Sequence, residues 1–183
     1  FRGNAQLFRD FIVDLLNHPS LLQGPLNGDK ATSQSPERYM REIRLVIRDF
    51  DSGIYSTIEE LVEALQSAGL SRHFSGATSV FPTNKGTLEL RFLKSQKSSQ
   101  QLLSLLRLFK ARLNYIARNP GQKLREDLHW RQWPVSSYRE IQKYVEQAGL
   151  DWAPYREMLP RWFRLAAEPV LAVQKWQCKS IVE

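Results

Sequence analysis

Between residues 98 and 118 bulky apolar side chains recur at helical spacing: Leu102, Leu105, Leu106, Phe109, Leu113 and Ile116. This pattern predicts a helix over 98–118 with those six residues on its inner face. It is the clearest helix in the chain. The remaining elements have to be arranged against it. Asn119–Pro120–Gly121 follows and breaks it, since proline lacks the N–H a helix needs and glycine favours turns.

Upstream, Phe8, Phe11, Ile12, Leu15 and Leu16 fit an amphipathic helix over 4–17, with Arg9, Asp10 and Asp14 on its other side and His18–Pro19 ending it. Residues 23–36 are rich in Gly, Pro, Ser and Asn and read as a mobile loop. Ser35 and Pro36 then suit an N-cap and a first helical position. Tyr39–Phe50 suits a helix better than a strand, although Ile43–Ile47 also fits a strand. Ser56 or Thr57 can cap a further helix with Glu59 and Glu60 in its first turn and Gly69 at its end. The period then changes. Residues 72–81 and 86–93 are β-like around Pro82–Lys85, a hairpin candidate. Residues 136–148 and 154–167 read as two more helices. The expected fold is α+β: predominantly helical, with a short antiparallel hairpin or small sheet at about 72–93 packed on helices. One domain over 1–183 is expected, with a helical subregion at 134–183.

The chain has 183 residues, 42% hydrophobic and 25% charged, which excludes wholesale disorder. Its single cysteine, Cys178, cannot form an internal disulfide, so a reducing, cytoplasmic compartment is expected. No apolar run approaches the roughly 20 residues that span a bilayer. The net charge is +7, and it is concentrated. Residues 101–150 hold nine Lys or Arg against four acids, +5, leaving +2 for the other 133 residues. Such a stretch can attract nucleic acid, anionic lipid or a phosphorylated ligand; a solvated helix face would look the same.

In Thr87–Phe92 strand alternation puts Thr87, Glu89 and Arg91 on one face and Leu88, Leu90 and Phe92 on the other. The apolar face is expected to pack under helix 98–118. On the polar face a carboxylate that can hold Mg²⁺ stands beside a guanidinium that can grip phosphate. An exposed Glu–Arg pair without function would have the same spacing. The run His73–Phe74–Ser75, then Lys85–Gly86–Thr87–Leu88–Glu89–Leu90–Arg91–Phe92 and a Leu-rich helix, resembles the C-terminal part of bacterial putative amidoligases. These are carboxylate–amine ligases related to glutamine synthetase, and the likeness covers about residues 70–118. It implies an ATP- and Mg²⁺-dependent enzyme that joins a carboxylate on a small molecule or peptide to an amine through an acyl-phosphate. By the same resemblance Glu89 would be catalytic and metal-binding, Arg91 catalytic and in contact with phosphate, and His73 and Thr87 beside the nucleotide. The family's acidic Glu-x-Glu strand has no counterpart here. The resemblance therefore implies the C-terminal part of a longer ligase, or a relative that no longer catalyses.

His18, His73 and His129 have no metal-ligand spacing, and neither a Gly-x-Ser-x-Gly elbow nor a Walker loop occurs. Trp130 and Trp133 flank Arg131 and Gln132, where they could stack on bases or plug a helix seam. Trp152, Tyr155, Trp162 and Phe163 read as core. The second functional expectation is a non-enzymatic basic module that binds nucleic acid or a protein through residues 107–143. It needs Arg107, Arg118, Lys123, Arg125 and Arg131 exposed on one face.

Overall fold

The computed structural model of the chain describes residues 1, 3–23, 40–68, 80–82, 88–90, 98–126 and 134–179. In order the elements are α1 (Ala5–Leu16), α2 (Pro19–Gln23), α3 (Met40–Asp51), α4 (Ile58–Ser67), β1 (Val80–Pro82), β2 (Leu88–Leu90), α5 (Ser99–Arg118), α6 (Pro134–Gln147), α7 (Ala153–Arg156) and α8 (Arg161–Lys179). The architecture is helical, which corrects the α+β expectation. Helices and the turns between them supply every described core residue. Among the described residues β pairing is a three-residue ladder, Val80, Phe81 and Pro82 opposite Leu90, Glu89 and Leu88. Pro82 has no N–H to extend it, and three pairs form no layer for helices to pack on. Residues 24–36 of the expected loop, Ser35–Pro36 and Gly69 lie outside the described residues. Gln23, placed in that loop by sequence, ends α2.

Helix α1 lies at the centre, against α2, α4 and α5. Asn4 caps it by accepting the N–H of Leu7 at 2.8 Å. Ten of its twelve residues are buried, Arg9, Asp10 and Asp14 included. The expectation that these three lie on an outer polar side is therefore wrong. Val13 interrupts that polar side, and α2, α4 and α5 enclose the helix. A charge taken out of water has to be paired. Asp14 accordingly accepts from Nε and Nη2 of Arg112, at 3.0 and 2.6 Å. The Arg112 guanidinium lies 4.1 Å from the ring centre of Tyr144 and 4.6 Å from that of Tyr115.

This ion pair also sets the rotation of α5. Ser98 caps the helix, its hydroxyl accepting the Gln101 N–H, and Arg118 ends it. The inward line is Ser104, Leu105, Leu108, Arg112 and Ile116. Leu105 and Ile116 are buried as expected, and Phe109 and Leu113 partly so. Leu102 and Leu106 are exposed instead, with Leu103 beside them. At 100° per residue Leu106 lies about 120° from Arg112, so a helix that turns Arg112 inward turns Leu106 out.

The segment Met40–Asp51 is helical, which decides the helix-or-strand alternative, and it buries Met40, Ile43, Val46 and Ile47. Gly53, at φ 79°, turns the chain after it. Thr57 then caps α4 in a reciprocal box with Glu60. The single helix expected over 154–167 is divided in two. Pro160 cannot donate to the preceding turn, so α7 ends at Arg156 and α8 starts at Arg161, with the Pro160 carbonyl accepting from Phe163. Tyr155 and Phe163 are core residues as expected. Trp162 is not: 62% of it is exposed, because Phe163 takes the inward position beside it. Arg156 grips Glu168 through two hydrogen bonds of 2.8 Å and so fastens α7 to α8.

Removing one partner of a buried ion pair strands the other. Asp14→Ala is expected to cost about 3–5 kcal/mol in urea unfolding, and much of this should return in Asp14→Leu/Arg112→Met. A loss below about 1 kcal/mol would place the pair among surface ion pairs instead.

Candidate nucleic-acid interface

From Leu90 to Arg125 the chain contains no Asp or Glu. This acid-free run covers all of α5 and residues 119–125 of the loop after it. Arg107, Lys110, Asn114 and Arg118 are exposed on α5. At 100° per residue they fall within about 80° of arc, a single stripe along the helix. Arg112 is turned inward to Asp14 and is not part of it.

The loop after α5 is held through its backbone by residues of α1 and the turn after it. Asn119 closes the helix, its side-chain amide donating to the Tyr115 carbonyl at 2.8 Å. Gly121, at φ 75°, takes a conformation that favours glycine and donates its N–H to Asp10 at 2.9 Å. The Gln122 carbonyl accepts from Arg9. Asn17 donates to the Lys123 carbonyl and accepts from the Arg125 N–H, both at 2.9 Å. Arg44 donates to the Arg125 carbonyl at 3.0 Å. With the backbone of 121–125 fixed from the protein side, the side chains of Lys123 and Arg125 are exposed.

Acids and bases are thereby sorted. Asp10 and Asp14 are inside, engaged by Arg9 and Arg112, while Arg107, Lys110, Arg118, Lys123 and Arg125 are outside. Four of the five cations expected for a binding face, Arg107, Arg118, Lys123 and Arg125, are exposed, and Lys110 joins them. Arg131, Trp130 and Trp133 lie outside the described residues. The polar residues of α1 were the signal that sequence reasoning read as solvent-facing. Arg9 and Asp10 of α1, with Asn17 at its C-cap, are what hold the loop, while Asp14 holds α5.

For the ligase expectation the described residues hold little. Glu89 lies on β2 opposite Phe81. His73, Thr87 and Arg91 lie outside the described residues. Among the described residues no group of three or more His, Cys, Asp or Glu converges to hold a metal ion. No described helix is long and apolar enough to cross a membrane. No protein-family model, curated protein or solved structure matches the chain.

His18 borders the pinned loop. Its Nδ1 lies 2.6 Å from the Asp14 carbonyl, and its ring meets Tyr144 edge-on at 4.7 Å. Burial lowers its pKa below the ordinary 6.5, against the opposing pull of Asp14 and with help from Arg112 and Arg125. The unfolded chain therefore takes up a proton that the folded chain resists as pH falls through 6.5. This contribution to stability is present at neutral pH and is lost below that value. Urea unfolding of the native chain and of His18→Asn at pH 7.5 and 5.5 measures it. The native chain should lose more stability on acidification than the variant, and equal losses would show that His18 does not titrate in this way.

Proposed function

We propose that the chain is a non-catalytic module that binds nucleic acid through the basic face of Arg107, Lys110, Arg118, Lys123 and Arg125. One observation carries this reading. An exposed stripe of cations on α5 is followed, with no acid between them in the sequence, by a loop whose backbone is bonded inward and whose two cations are exposed. Phosphates attract such a face at long range, and each one neutralised releases condensed counterions. A carboxylate on the stripe would oppose that. Asp10 and Asp14 are buried against arginines, and the half-exposed Asp51 beside Lys123 is paired with Arg9.

The test is anisotropy of a labelled single-stranded oligonucleotide across a salt series. Binding should weaken steeply, with log K falling against log salt at a slope of up to about −3.5 if all five cations meet phosphates. The double variant Arg107→Glu/Arg118→Glu should weaken binding by ten-fold or more, on the order of 0.7 kcal/mol or more for each charge reversed. Binding that is indifferent to salt, or unchanged in this variant, overturns the proposal.

The amide-ligase reading is a second proposal, favoured only by the Gly86–Phe92 motif. Mg²⁺-dependent ATP turnover that falls sharply in Glu89→Gln would support it. Turnover that the substitution leaves intact would remove Glu89 from any catalytic role.

A further inference from the structure

Beside the basic face, Gln6, Arg9, Phe50, Asp51, Pro120, Gly121 and Lys123 line a cleft of about 450 Å³. Arg9 is its chemical centre. The side chain is 2% exposed and is engaged on three sides. One Nη1 hydrogen bonds to Asp10 at 2.7 Å and to the Gln122 carbonyl, while Nη2 donates to Asp51 at 2.6 Å. Its Nε is buried without a partner. A single buried cation thus faces two carboxylates of unlike kind. Asp10 is 1% exposed and is itself held by the Gly121 N–H and by Gln6. Asp51 is the last residue of α3 and is 47% exposed. Asp10 is therefore the permanent counter-ion. Asp51 can swing into water, where a carboxylate is well solvated, and leave Arg9 neutralised.

We propose that this cleft is a phosphate subsite in which Asp51 occupies the anion position until a phosphate group displaces it. The proposal rests on the nucleic-acid reading and names where that ligand would be gripped outside the α5 stripe. When Asp51 rotates out, the Arg9 Nη2–H faces the cleft lined by Lys123. A phosphate oxygen accepts from Arg9 while Lys123 supplies the second positive charge. No covalent change is involved. One carboxylate is exchanged for a phosphate on the same donor.

The subsite makes a counterintuitive demand: deleting a residue that lines it should improve binding. Asp51→Asn removes the competing charge and is expected to tighten oligonucleotide binding about five-fold. Asp49→Asn is the control, because Asp49 sits two residues away on the same helix, bears the same charge and pairs with the exposed Arg48. Its effect should stay below about two-fold, the range of a surface ion pair. Adding Lys123→Gln to Asp51→Asn should abolish the gain. If the intact chain binds oligonucleotide and the two asparagine variants behave alike, the subsite is wrong while the nucleic-acid reading stands. If the intact chain binds no oligonucleotide, that reading fails, and inorganic phosphate decides the subsite. Phosphate must then bind more tightly to Asp51→Asn than to the native chain, and no difference overturns it. Thermal melts confirm that the variants are folded. Should Asp51→Asn melt too low to assay, Lys123→Gln carries the test. A loss of affinity greater than that of Lys110→Gln supports the subsite, and an equal or smaller loss overturns it.

Discussion

A carboxylate and a guanidinium taken wholly out of water hold this fold in register. Asp14 on α1 and Arg112 on α5 meet at 2.6 Å with almost no exposure, and the cation is covered by the rings of Tyr144 and Tyr115. A pair of this kind is not necessarily more stabilising than two apolar residues of the same size. Its effect is selective. Any packing that separates the two charges leaves each of them buried and uncompensated, so the rotation of α5 about its axis is fixed. That rotation decides which residues of α5 are inside and which are exposed. The exposed arginines of the stripe and the exposed Leu102 and Leu106 have the same origin.

Asn17, one turn along from Asp14, and Arg9 and Asp10, one turn back, repeat the arrangement with a backbone as the partner. Arg9, Asp10 and Asn17 bond to successive positions of the segment 121–125. The same helix therefore orders both halves of the basic face, α5 through a side chain and the loop through its peptide groups. A surface loop normally leaves its backbone to water. Here the protein side takes those bonds, and the long cationic side chains are left exposed.

The sequence disclosed the helices where the pattern was local. Thr57 with Glu60, the apolar spacing over 98–118, and Phe8 to Leu16 are motifs whose meaning depends on neighbours within one or two turns. The misreadings of α1 and α5 were questions about distant partners. Nothing near Arg112 announces that it turns inward, because its counter-ion is 98 residues away. Leucine spacing alone therefore rotated α5 wrongly. Arg9, Asp10 and Asp14 looked like a polar face for the same reason. Trp162 looked like core because tryptophan usually is, and only the break at Pro160 gives the inward position to Phe163. The α+β expectation gave weight to alternation in a short segment, whereas an alternating segment makes a layer only when further strands continue the ladder. Of the proposed interface, the charge was legible and the geometry was not. Which cations face outward follows from bonds that join residues 9–17 to residues 112–125.

Those bonds share a property that only chain connectivity brings out. Arg112 to Asp14, Asn17 to Lys123 and Arg125, Gly121 to Asp10, and Arg9 to Gln122 span 98, 106, 108, 111 and 113 residues. Taken singly, each would have to close a loop of about 100 residues, at an entropic cost near 4 kcal/mol by the three-halves-logarithm rule. All five join one short stretch, 9–17, to another, 112–125. The first to form closes the large ring, and every later one closes only a few residues more. The network is thus all-or-none, formed together or absent together. Hydrogen exchange should register this as one shared opening free energy for the bonded amides of Gly121 and Arg125.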